Sequence, residues 1–194
     1  MNIELWFPVA IGLAVNNTED NDCLKDHCLQ LSKKIPSGGK NWVNQSVYNT
    51  DRTYNILDDE IFAPINTWVE EQVNLYAKEL KFKDSYKLKE SWFSIYDKGA
   101  SQEYHTHPGS TFSCVYCVSA PPDSSPLVLN SPQVPDMMNP TITEFNHITS
   151  LMCTYSAIVG RLLIFRSYVN HCVPPNVGKG PRITLAYNLW CGVE

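Results

Sequence analysis

The sequence predicts an α+β fold: a small β-barrel or sandwich with N-terminal helices packed on its outer sheet. Two observations carry this. In roughly the first eighty residues, two stretches repeat apolar side chains at helical spacing. The rest of the chain is a series of short runs rich in β-branched and aromatic residues, separated by turn signals. At 194 residues the chain reads most simply as one domain, 1–194, long enough for a substantial core.

The elements follow in order. Residues 3–15 read as a strand, with Pro8 at an edge or bulge. Asn16, Asn17 and Thr18 offer N-cap side chains. Leu24, Cys28, Leu31 and Ile35 then recur at helical spacing, which predicts an amphipathic helix over 19–34, ended by Pro36-Ser37-Gly38-Gly39. Residues 40–57 are polar and aromatic without a clean period and read as a loop with a short strand, of the kind that can cover a cleft. Ile61, Ile65, Trp68, Val69, Val73 and Tyr76 predict a second helix from Asp58 to about Leu80, with Pro64 early enough to be tolerated. Trp68 and Tyr76 are expected in the core.

After a charged connector, 81–89, strands are expected at 91–96, 103–107, 111–119, 127–130, 152–159, 162–167 and 183–190. Lys98-Gly99, Pro108-Gly109, Pro121-Pro122-Asp123, Gly160, Pro174-Pro175 and Gly178-Lys179-Gly180 punctuate them. Residues 126–150 form an excursion, a lid or hairpin.

Composition narrows the function. The net charge of −5 argues against a protein that lives on a nucleic-acid backbone, which needs a basic stripe. No apolar run is long enough to span a membrane, and the N-terminus, with Glu4 and Pro8 and no basic region, does not read as a signal peptide. Cys114 and Cys117 would face opposite ways along a strand, so the one CxxC is not a redox motif. Seven cysteines without a disulfide framework lead us to expect reduced thiols and a cytoplasmic location.

The chemistry concentrates around His105-Thr106-His107. In an extended segment, residues two apart point the same way, so one strand aims both imidazoles at one point. Imidazole is the commonest metal ligand near neutral pH. His171 follows far downstream, after an apolar run, and could supply a third. Three His without a fourth protein ligand describe an open site rather than a closed structural zinc site. Glu103, of the same strand parity, or Asp136 could instead complete the set, with one His turned outward as a supporting group. Arg182 opens an apolar strand and would point into the barrel mouth, where a guanidinium grips a carboxylate through two hydrogen bonds. Thr184 and Asn188 share its parity. Tyr104, Ser113 and Tyr116 are further candidates for the same pocket. His27, on a helix, and His147, in the excursion, read as ordinary surface or satisfied residues, and Trp92 and Trp190 as packing.

In this order of residues the chain resembles the double-stranded β-helix oxygenases that use Fe(II) and 2-oxoglutarate. In that family a His-x-Asp/Glu pair ends one strand and a distal His lies on a later one. An Arg soon after it holds the far carboxylate of 2-oxoglutarate; His171 and Arg182 stand in that relation. Tyr96-Asp97-Lys98-Gly99 ahead of His105 is similar to the approach strand of the prolyl-hydroxylase branch. Leu5-Trp6-Phe7-Pro8, His105-Thr106-His107-Pro108 and Ser113-Cys114-Val115-Tyr116-Cys117 are similar to a subgroup found among phage-encoded and marine bacterial proteins. The resemblance implies a jelly-roll (cupin-like) barrel. It implies Fe(II) held by His105, His107 and His171, and 2-oxoglutarate held by Arg182 with Thr184, Tyr104, Ser113, Tyr116 and Asn188 nearby. It implies O2 as oxidant and hydroxylation of a C–H bond with release of succinate and CO2. The approach strand points to a protein or peptide side chain as substrate. His107 stands where the family has a carboxylate, so the site keeps the full charge of the divalent cation, which doubly charged 2-oxoglutarate would neutralise. In halogenating relatives a small residue stands at that position; His107 fills the room, so halogenation is not expected. Two alternatives remain: a three-His cupin-type dioxygenase that needs no 2-oxoglutarate, and an inactive binding module on the same barrel.

Overall fold

The computed structural model describes residues 1–17, 20–39, 42–133, 141–144 and 146–191. Among these residues, ten strands form two antiparallel sheets. They are β1 (Gly12–Val15), β2 (Tyr48–Asn49), β3 (Tyr86–Tyr96), β4 (Gln102–His105), β5 (Phe112–Ser119), β6 (Leu127–Asn130), β7 (Met152–Tyr155), β8 (Arg161–Arg166), β9 (His171–Val173) and β10 (Arg182–Cys191). The larger sheet has the order β1-β8-β5-β10-β3-β2 and the smaller β4-β9-β6-β7. The two stack as a jelly roll, as expected. Helices α1 (Asn21–Leu31) and α2 (Ala63–Glu79) lie on the outer face of the larger sheet.

Strand alternation divides the interior in two. On β10, Ile183, Leu185, Tyr187 and Leu189 face the helices and pack with Leu24, Ile65, Val69 and Val73. On β3 and β8, Tyr96, Leu163 and Phe165 face inward, where they meet Leu127, Leu129 and Val173 of the smaller sheet. The cavity between the sheets therefore carries the polar side chains, and the helix face carries the main apolar core.

Several boundaries differ from the sequence reading, each for a local reason. Only Gly12–Val15 of the first predicted strand pairs with a neighbour, β8. Asp20, rather than Asn16 to Thr18, caps α1 by accepting from the Cys23 N–H at 3.0 Å. Asp59 caps a 3-10 turn (Glu60–Phe62) before α2, so Pro64 falls in the first turn of the helix. β3 begins within the charged connector because Tyr86 is locked to Asn74 of α2: the Tyr86 N–H donates to Asn74 Oδ1 at 2.9 Å and Asn74 Nδ2 donates back to the Tyr86 carbonyl at 2.9 Å. The strand β9, only three residues long, was not expected. The turn into β8 needs Gly160, whose φ is +80°; a Cβ there would sit 2.6 Å from the Asn16 carbonyl oxygen. No disulfide joins cysteines among the described residues, and Cys114, the register partner of Tyr187, and Cys117, that of Thr184, do face opposite sides. No helix among the described residues is long and apolar enough to cross a membrane.

Candidate active site

His105 and His171 are register partners on β4 and β9, at the mouth between the sheets. Their approach depends on an irregularity. Gln102 pairs with Val173 and His105 with His171, so three steps on β4 oppose two on β9. This is a bulge, and it reverses side-chain parity between Gln102 and His105. Both point inward, while Glu103 is carried outward. The expectation that Glu103 shares a face with His105 fails for this reason. Its carboxylate instead accepts the N–H groups of Val43 (2.9 Å) and Asn44 (3.1 Å), which hold its pKa below the usual carboxylate range. Asp136 lies outside the described residues.

β4 ends at His105, two residues earlier than expected. His107 lies beyond it, tethered by its N–H to the Ser167 carbonyl at 3.0 Å, just past the end of β8. Its ring still meets the other two. Ligand atoms of His105, His107 and His171 all lie within 4.8 Å of one another, and the Nε2 atoms of His107 and His171 are 3.2 Å apart. His105 Nδ1–H donates to the Glu103 carbonyl at 2.7 Å and His171 Nδ1–H to the Val169 carbonyl at 2.9 Å. A carbonyl only accepts, so both rings hold their hydrogen on Nδ1 and present an Nε2 lone pair inward, as a metal ligand must. Each ring is backed by an aromatic side chain: Trp42 against His105, Trp92 against His107 and Phe165 against His171. Burial pushes all three imidazoles down, His107 to about 4, with mutual repulsion adding to the effect in His107 and His171. All three are therefore neutral at pH 7, the form that binds a cation.

A narrow cavity runs from these rings to Arg182, lined by Trp92, Ser94, Tyr96, Gln102 and Thr184. Arg182 is 2 % exposed. Its guanidinium lies 4.8 Å over the Tyr96 ring, yet Nε and Nη1 have no hydrogen-bond partner. Leaving two donors of a buried cation without acceptors is costly. Such a guanidinium is the group expected where a carboxylate binds. The donor set thus fits a divalent cation at one end and a diacid reaching from it to the other.

The remaining expected residues divide by face. Thr184 lines the cavity near Arg182. Ser113 and Asn188 sit on the cavity side beneath His107, with Ser113 Oγ donating to Asn188 Oδ1 at 2.9 Å. Tyr104 is 46 % exposed, turned away from the cavity by the same bulge. Tyr116 faces the helices and donates from Oη to Asn21 Oδ1 at 2.9 Å. His27 is satisfied by Asp59 at 2.7 Å and His147 is exposed. The sequence reading did not single out Tyr96 or Gln102 for the pocket, although Tyr96 is the register partner of Arg182 and its hydroxyl donates to Gln102 Oε1 at 2.7 Å. Parity along β3 was the signal for Tyr96. Trp42 sits in an aperiodic loop and gave none.

No curated protein matches the sequence. Solved structures with the same fold include a Pseudomonas putida prolyl-4-hydroxylase (12 % identity, covering 95 % of this chain and 94 % of that one, TM-score 0.64). A viral collagen prolyl hydroxylase from Paramecium Bursaria Chlorella virus-1, in its 2OG complex, is similar over 92 % of this chain and 94 % of its own (13 % identity, TM-score 0.58). SnoN, a non-heme α-ketoglutarate-dependent epimerase from nogalamycin biosynthesis, is similar over 94 % of this chain and 77 % of its own (11 % identity, TM-score 0.67). At these identities the likeness speaks for the fold. The family model described as "Putative 2OG-Fe(II) oxygenase" matches residues 90–188, over half of the chain and the span that holds all three imidazoles and Arg182. The chain belongs to that family, the oxygenases that work with Fe(II), 2-oxoglutarate and O2.

Proposed function

We propose that this oxygenase hydroxylates a C–H bond on a protein or peptide side chain, with His105, His107 and His171 as iron ligands and Arg182 as the anchor of 2-oxoglutarate. The observation that carries the reading is the single cavity joining three inward imidazoles to a buried guanidinium two of whose nitrogens have no hydrogen-bond partner. When bound, the iron, 2-oxoglutarate and O2 supply oxidative decarboxylation, which releases succinate and CO2 and places one oxygen atom on the substrate. The chain's own residues position and protect. The backbone carbonyls of Glu103 and Val169 aim two rings. Arg182 pairs with the far carboxylate and neutralises it, while Thr184 and Tyr96 flank that end of the cavity. Trp42, Trp92 and Phe165 shield the imidazoles from water, which strengthens every charge interaction inside.

The substrate reaches the site through an open cleft of about 730 Å3 lined by Trp42, Asp51, Tyr54, Glu90, Trp92 and His107. An open cleft of that volume suits a side chain presented by a polypeptide. A Trichoplax adhaerens prolyl hydroxylase of similar fold was solved with a peptide fragment of hypoxia inducible factor, which supports a peptide substrate. Two assays test the reading. Succinate release with Fe(II) and 2-oxoglutarate is expected from the native chain and abolished in His171→Ala; turnover that survives the substitution removes His171 from the metal centre. A peptide library should gain one oxygen on some members, and a library left unmodified by an enzyme that turns over 2-oxoglutarate rules out the peptide substrate.

A further inference from the structure

Backbone carbonyls fix the hydrogen of His105 and His171 on Nδ1. Among the described residues no carbonyl does this for His107. Its Nδ1 faces the side-chain amide of Asn188, with Nδ2 at 3.4 Å. Asn188 is 3 % exposed and held from two further directions. Its Nδ2 donates to Glu90 Oε2 at 3.2 Å, and its Oδ1 accepts from Ser113 Oγ at 2.9 Å. Ser113 Oγ in turn lies 2.8 Å from Ser167 Oγ.

The direction of these bonds has a chemical consequence. An amide nitrogen donates, so it matches a His107 ring whose Nδ1 is bare and whose hydrogen is on Nε2. That hydrogen points at the Nε2 lone pair of His171, 3.2 Å away. This is the tautomer that cannot offer Nε2 to a cation. A half-turn of the Asn188 amide exchanges its two ends. Oδ1 would then accept a hydrogen from His107 Nδ1, Nδ2 would donate to Ser113 Oγ, and the Ser113 hydroxyl would turn to Ser167. The ring remains neutral throughout; its one hydrogen moves from Nε2 to Nδ1 by exchange with water from the cleft.

We propose that Asn188 is a positioning residue for His107: its amide selects the ring tautomer, and a half-turn of that amide accompanies cation binding by the three-imidazole cluster. Glu90 holds the amide in the metal-free orientation. The inference rests on His105, His107 and His171 being the metal ligands.

The test uses the full-length, 15N-labelled protein and Zn(II), a diamagnetic probe. Two-bond 1H–15N correlation spectra report which ring nitrogen carries the hydrogen. Without metal, His107 is expected as Nε2–H and the other two as Nδ1–H; with Zn(II), His107 should convert to Nδ1–H. Asn188→Asp supplies a permanent acceptor and should show Nδ1–H before metal is added, with Zn(II) binding tightened about tenfold. Asn188→Leu should weaken it by roughly 10- to 100-fold, the usual cost of losing an outer partner of a metal-bound imidazole. Glu90→Gln, at an exposed position where folding is not at risk, should tighten binding a few-fold by freeing the amide to turn. A metal-free native protein with His107 already as Nδ1–H, or equal Zn(II) affinity in the Asp and Leu variants, overturns the proposal while leaving the ligand set intact. A His107 ring that does not respond to Zn(II) overturns both.

Discussion

Arg182 takes a full positive charge into a place where it is 2 % exposed and where two of its nitrogens meet no acceptor. The Tyr96 ring beneath it offers a π-face, which offsets only part of the lost hydration. A carboxylate held through two parallel hydrogen bonds would satisfy the fork, and lysine, a point charge, cannot reproduce that geometry. Arg182→Lys should therefore weaken 2-oxoglutarate binding by about 10-fold or more, since a charge-assisted hydrogen bond is worth roughly 1.5–3 kcal/mol. The check is the thermal shift on adding 2-oxoglutarate, large for the native chain and small for the variant; equal shifts would place the diacid elsewhere. The strand parity that puts Arg182, Thr184 and Asn188 on one face was legible because β10 carries no extra residue through those positions: the register shifts at Ile183/Thr184 and Asn188/Leu189 place the extra residue on the neighbouring strands β5 and β3. The parity of Glu103 was not legible, because nothing in the composition of Gln102-Glu103-Tyr104 announces an extra residue in the ladder.

At the scale of elements, that extra residue ties β4 to the cleft loop. By turning Glu103 outward it lets one carboxylate accept the N–H groups of both Val43 and Asn44. These directly follow Trp42, the ring that abuts His105. Glu103→Ala should raise hydrogen exchange at the Val43 and Asn44 amides while leaving those of β10 protected; unchanged exchange at 43 and 44 would show that the loop is held by other contacts. A second link joins α1 to the far end of the same loop. Asp59 Oδ2 accepts from Tyr54 Oη at 2.6 Å and meets His27 Nε2 at 2.7 Å. Burial alone would raise the Asp59 carboxyl, but bonds from Tyr54, His27 and the Ile61 N–H outweigh it and the net shift is downward. A carboxyl depressed in the folded state stabilises it above the ordinary carboxylate range, and that contribution is lost as pH falls through it. Asp59→Asn should cost about 1–3 kcal/mol in urea unfolding at pH 7. The gap to the native chain should shrink as the pH drops below about 4, and a constant gap would mean the carboxylate charge is not what matters. Apolar side chains at helical spacing made both helices legible, although neither N-cap fell where the sequence suggested, whereas contacts between a loop and a distant strand depend on the fold and leave no local trace.

For the whole molecule, the two faces of the larger sheet have separate duties. The helix side holds the main apolar core and the cavity side holds the chemistry. Leu185 is fully buried on the helix side. Leu185→Ala should cost about 2–5 kcal/mol of stability and leave metal affinity unchanged at temperatures where the chain stays folded. A parallel loss of metal binding would show that the two faces are not independent. With no disulfide among the described residues, the melting temperature should be the same with and without reductant; a drop on reduction would reveal a disulfide. The sequence announced the sheet-rich half and its helical cover but not the order of strands, which non-local pairing decides.

Two of the three clustered imidazoles hang from the four-stranded sheet, while the guanidinium belongs to the six-stranded one. A diacid that touches the cation at one end and Arg182 at the other would act as a rivet through both walls of the sandwich. Heating the loaded enzyme should then delay delamination of the thin wall from the thick one, and the empty enzyme should open along that seam first.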